Sequence, residues 1–166
     1  CAADRGTPDM STLFAEQQAL LAHQLQVLAR LEQGIAFSLD RLPAALDLEN
    51  LRDPEIAERV AALNDRFTKL QDQLAGALRH AHGMLGERYR SYADVVAWAV
   101  RLGILPDAPT CLELRALRNR LTHDYDLEAE SALELIELIR GSTDTLAGII
   151  RRFATSCRDS GLLPPG

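Results

Sequence analysis

The chain has 166 residues, 47% hydrophobic and 25% charged, which suits a single soluble domain with one core. No apolar run is long enough to cross a membrane, and no basic segment followed by an apolar stretch marks a secretory signal. A net charge of -6 argues against a general high-affinity binder of nucleic acid, but leaves room for an RNA-cutting enzyme with a local basic patch, or for a basic partner.

Cys1, Cys111 and Cys157 are too few and too widely spaced for a disulfide framework or a zinc site. A reducing, cytoplasmic setting is expected, with Cys111 and Cys157 as small buried apolar residues. Residues 1–9 are polar and irregular, and Met10-Ser11 reads as a start, so they are expected to form a leader outside the fold. Residues 10–158 are expected to form the domain and 159–166 a loose tail.

The pattern is helical nearly throughout, with no strand alternation. A first helix is expected over Thr12–Ser38, with Leu21, Leu25, Leu28 and Ile35 on one stripe and Gly34 at a bend. A loop follows to Arg52. Asp53-Pro54-Glu55 combines a capping side chain, a first-turn proline and an acid at the positive helix end. The second helix should run to about His82, closed by Gly83 and Gly86. Its seam, Ile56, Val60, Leu63, Phe67, Leu70, Leu74 and Leu78, has the four-and-three spacing of bundle packing.

Ser91 and Asp94 form a capping box for a third, shorter helix bearing Tyr92, Val95, Trp98 and Leu102 and stopped by Gly103. Thr110 and Glu113 suggest a second box and a fourth helix that turns Leu114, Leu117 and Leu121 inward and frays near His123. The last helix, Glu128–Arg158, carries Leu135, Ile139, Leu146, Ile149 and Phe153 on its apolar stripe. The expected fold is all-α, a bundle of about five helices.

Chemistry concentrates in Arg118-Asn119-Arg120-Leu121-Thr122-His123-Asp124-Tyr125. Cleaving RNA without a metal requires a base for the 2'-hydroxyl proton, an acid for the leaving 5'-oxygen and a fixed cation for the phosphate. Histidine titrates near neutrality, and arginine offers a charged fork that matches phosphate. Five residues separate Arg118 from His123, about 140° around an ideal helix. They share a face only if the helix ends between them or two subunits share the site. Set against this, arginine, aspartate and histidine also gather at helix C-termini for capping and solubility alone.

Arg118, His123 and Tyr125 match the R-x4-H-x-Y signature of HEPN ribonucleases, with Asn119 at the polar position after the arginine. The chain more specifically resembles HepT toxins, encoded beside a minimal nucleotidyltransferase antitoxin, MntA. That similarity also covers Arg66–Asp72 and Ala97–Leu105, in the same order, over about two thirds of the chain. The resemblance implies a HEPN-type helical homodimer with paired motifs lining a shared groove, acting as an endoribonuclease on mRNA or tRNA. Arg118 would hold the scissile phosphate, His123 would move protons and Asn119 would position the site. Arg115 and Arg120 are expected as further phosphate contacts. Neither metal nor cofactor is called for. The resemblance also implies silencing by transfer of AMP to Tyr125, which would repel and obstruct an RNA backbone.

Two rivals stand beside this reading. One is a non-catalytic HEPN module that binds nucleotide or substrate for a nucleotidyltransferase. The other is a helical phosphotransfer protein, for which His23 is the candidate residue. His80 and His82 read as capping or surface residues, because two positions apart on a helix they face different ways. Gln71 and Asp72 read as a solvated helix face ahead of a groove-facing pair, and Tyr89, Tyr92 and Trp98 as core or dimer contacts ahead of a base-stacking platform.

Overall fold

The computed structural model describes residues 9–123 and 129–164. Among these the regular elements are all helical: α1 (Met10–Asp40), α2 (Pro54–Met84), α3 (Tyr92–Arg101), α4 (Ala108–His123) and α5 (Ala129–Asp159), with a single 3-10 turn at Asn50–Arg52. No described helix is long and apolar enough to cross a membrane.

The helix starts follow local chemistry. Asp53 Oδ1 accepts from the Glu55 amide at 2.9 Å, and Pro54 occupies the first turn, so α2 begins where an orphan donor is satisfied. Asp94 Oδ2 accepts from the amides of Arg90 (2.7 Å) and Ser91 (2.9 Å), closing the capping box of α3. These two amides hold the Asp94 carboxyl below its ordinary range. The start of α4 differs from expectation. Asp107, not Thr110, is the capping side chain: its Oδ1 accepts from the Thr110 amide at 2.6 Å, and the helix already begins at Ala108. Asp107-Ala108-Pro109 thus repeats the logic of Asp53-Pro54, an acid followed closely by a proline that has no amide hydrogen to leave unsatisfied.

The stop of α2 also shifts. The helix passes through Gly83 to Met84, and Gly86, with φ 70°, makes the left-handed turn that ends it. Gly103, with φ 69°, does the same after α3 and turns Ile104 and Leu105 back into the core.

α1 and α2 form an antiparallel hairpin. Arg59 donates to the Arg41 carbonyl at 2.9 Å, Arg66 reaches the Gly34 carbonyl and Ser38 Oγ, and His80 pairs with Gln24 at 2.8 Å. Gly34 does not interrupt α1, which is continuous across it. A Cβ there would sit 3.2 Å from Arg66 Cδ, so the glycine admits a close approach of α2 rather than a bend. α5 lies antiparallel to α1: Arg140 donates to the carbonyls of Pro43 and Ala44 at one end, and Gln18 to those of Gly161 (2.9 Å) and Leu163 (3.2 Å) at the other.

The core joins the seams read from the sequence. Leu21, Leu28 and Ile35 of α1, Val60 to Leu78 at the expected spacing on α2, and all five stripe residues of α5 are buried. Phe67 and Phe153 are fully enclosed, each stabilising the fold by roughly 1.5–3 kcal/mol relative to exposure. Residues 159–164 depart from a loose tail. Gly161 takes φ 67°, Leu162 is buried, and Gln18 holds the flanking carbonyls, so an apolar side chain ties this segment to the bundle.

Candidate functional site

α2, α3 and α4 enclose a cleft of about 350 Å³ whose lining includes Gln71, Asp72, Arg79, Tyr92, Arg115, Arg118 and Asn119. Three of these residues come from α4 at positions 115, 118 and 119, which share one helical face. Leu114 and Leu117, buried on the same helix, press it onto the bundle and fix how that face is presented.

Arg118 is held in the cleft by side-chain hydrogen bonds to two neighbours. Its Nε and Nη2 donate to the two oxygens of Asp72, both at 2.9 Å, in a fork-to-fork pair, and its Nη1 donates to Asn119 Oδ1 at 3.4 Å. Asp72 further secures the charge on the guanidinium, chiefly through this hydrogen bonding. The side chains are 27% and 53% exposed, so the pair contributes at most about 1 kcal/mol to stability; its larger effect is to orient the arginine. Gln71, one residue earlier on α2, donates from Nε2 to the Leu114 carbonyl at 3.4 Å. The expectation that Gln71 and Asp72 form a solvated face is therefore corrected: both reach across to α4. The spacing along α2 carried no sign of this, because the partners are 43 and 46 positions away in sequence.

Two guanidinium groups lie over the Tyr92 ring, Arg115 at 5.4 Å and Arg79 at 6.0 Å from the ring centroid. Burial pushes the Tyr92 phenol up to about 12, only partly opposed by the two arginines, so it is neutral at physiological pH. Cys111, half-buried in the same wall, has its thiol raised by burial as well.

Arg120 does not join Arg115 and Arg118. Its Nη2 pairs with Glu134 of α5 at 2.9 Å, and it lines a separate groove between α4 and α5. α4 continues through His123, so the Cα positions of Arg118 and His123 lie about 140° apart on one helix. The side chain of His123, and all of Tyr125, lie outside the described residues.

His80 and His82 are not the capping or surface residues expected. His82 is buried, edge-on to Trp98 at 5.6 Å and to Tyr89 at 6.4 Å, with no partner for Nδ1 among the described residues. His80 is half-buried, and desolvation lowers its pKa. Cys157 is fully buried, as expected, and its thiol is pushed up to about 12 by burial. Among the described residues, no group of three or more histidine, cysteine, aspartate or glutamate side chains is placed to hold a metal.

No family model, curated protein or solved structure matches the chain.

Proposed function

We propose that the chain is a HEPN-type endoribonuclease of the HepT kind, a toxin cleaving RNA without a metal and silenced by a nucleotidyltransferase antitoxin. The observation that carries this reading is the Arg118 guanidinium, held by Asp72 and Asn119 at the wall of a cleft with three arginines, inside the segment that resembles the R-x4-H-x-Y signature.

Within this proposal Arg118 binds the scissile phosphate and stabilises the charge that builds on its oxygens. A guanidinium already fixed by Asp72 needs little reorganisation to do so. His123 transfers protons, taking one from the 2'-hydroxyl or giving one to the leaving 5'-oxygen. The helix that runs through His123 separates its Cα position from that of Arg118, so the active unit is a homodimer in which Arg118 of one protomer serves with His123 of the other. The acidic net charge is compatible with this reading because the cleft itself carries three arginines against one aspartate. In the same proposal Tyr125 is the residue that receives AMP, placing bulk and negative charge two positions from His123.

The test is cleavage by Arg118→Ala and His123→Ala. Each is expected to lose about a hundredfold to ten-thousandfold in rate with helical content unchanged. Cleavage by the parent protein is expected to persist in EDTA and to leave 2',3'-cyclic phosphate ends. Undiminished cleavage by His123→Ala would remove the histidine from the mechanism. Absence of cleavage in the parent protein would favour the non-catalytic module.

A further inference from the structure

The cleft contains a second cationic feature that the motif segment alone does not account for. Arg79 from α2 and Arg115 from α4 both lie over the ring of Tyr92 from α3, so three helices converge on one point. Among the described residues neither arginine has a carboxylate within ion-pair distance. The one acid in the cleft, Asp72, is already bound in fork geometry by Arg118. Both arginines are exposed, in a protein whose carboxylates outnumber its cations. Two guanidinium groups gathered at one ring without a carboxylate partner repel one another, and an anion within reach of both relieves that repulsion. Guanidinium forks match phosphate oxygens, and stacking on an aromatic ring limits the freedom such side chains lose on binding.

Arg115 lies three residues before Arg118, about 4.5 Å of rise along the same helical face. The two cationic points therefore succeed one another along the cleft, an arrangement that suits successive phosphates of one strand. The cleft volume of about 350 Å³ falls at the small end of ligand pockets, a size better suited to part of a splayed single strand than to a duplex.

Resting on the ribonuclease reading above, we propose that Arg79, Arg115 and Tyr92 form a second phosphate subsite, which takes the backbone phosphate next to the scissile one in single-stranded RNA. Arg79 and Tyr92 thereby join the substrate-binding surface, although neither belongs to the segment around Arg118.

The experiment is fluorescence anisotropy of an uncleavable 2'-O-methyl oligoribonucleotide, titrated at several salt concentrations. Arg79→Gln is expected to weaken binding and to reduce the slope of log K against log salt by about 0.7, the value of one phosphate contact on a single strand. Arg79→Lys should recover most of that slope by restoring the charge. A neutral methylphosphonate linkage is then moved along the oligonucleotide. The position at which it costs the parent protein affinity should cost Arg79→Gln nothing. Arg79 is exposed, so circular dichroism of both variants should match the parent. An unchanged salt slope in Arg79→Gln, beside a parent protein that binds and cuts RNA, would overturn the subsite and leave the ribonuclease reading intact. A parent protein that neither binds nor cuts RNA would overturn both.

Discussion

Arg118 commits two of its three nitrogens to Asp72, and that pairing makes Asp72 a positioning residue in the proposed reaction. Asp72→Asn keeps the shape but removes the charge and one face of the fork. It is expected to lower kcat for RNA cleavage about tenfold with KM little changed, since aim is lost and not substrate contact. The thermal midpoint should fall by no more than about 4 °C, because a half-exposed ion pair contributes at most about 1 kcal/mol. Faster cleavage in Asp72→Asn would instead make the aspartate a restraint on Arg118. The chain gave Arg118, Asn119 and Arg115 away by their clustering, and the structure brings those three to one face. It gave no hint of Arg79, and it favoured a solvated face for Asp72 and a core or dimer contact for Tyr92, because residues joined across helices leave no periodic trace in sequence. His80 offers a test that does not involve the cleft. Desolvation lowers its folded pKa, so the unfolded chain binds the proton more readily. The stability this group contributes is present above the unfolded value of about 6.5 and is lost as pH falls through the lowered folded value. Thermal melts from pH 8 to pH 5 should therefore show a smaller acid-side decline in His80→Gln than in the parent. An identical decline would assign the acid sensitivity to other groups.

Each helix depends on a few local decisions, and these differ in how plainly they are written. Asp53-Pro54 and the Ser91–Asp94 box were readable because both partners are close in sequence. The start of α4 was misplaced because Thr110 and Glu113 fit the same template that Asp107 fulfils three residues earlier. The apolar seams of α2 and α5 were largely legible, since burial on one side imposes a helical period, although Ile56 is only partly buried and Ile136 and Ile150 are buried beside the expected α5 stripe. Glycines inside helices were the least legible, because one letter stands for several physical reasons. Gly141 in α5 has nothing within 4 Å of the place its Cβ would take, whereas at Gly34 a Cβ would meet Arg66 Cδ at 3.2 Å. Gly141→Ala should thus stabilise the fold by about 0.5–1 kcal/mol, the usual gain from removing backbone freedom in a helix. Gly34→Ala should show none of that gain, because Arg66 must shift away from its bonds to the Gly34 carbonyl and Ser38. Denaturant midpoints with unchanged m-values decide both cases.

At the scale of the molecule, the proposed reaction requires two copies of the chain. The expected homodimer includes α4 and buries roughly 1,600 Å² in total or more. A monomer by light scattering at micromolar concentration, in a preparation that still cuts RNA, would contradict the shared site. The architecture also bears on how that mass can be measured. α1, α2 and α5 each have 31 residues, and contacts along α1 set both of the others antiparallel to it. Each rod is about 46 Å long, against a diameter of about 40 Å for a sphere with the radius of gyration usual for this chain length. The two lengths are so close that a single copy meets nearly the hydrodynamic drag of a sphere of equal mass. A single chain of 18.3 kDa should therefore elute near its own mass, and a peak at twice that mass counts a second copy rather than an extended shape.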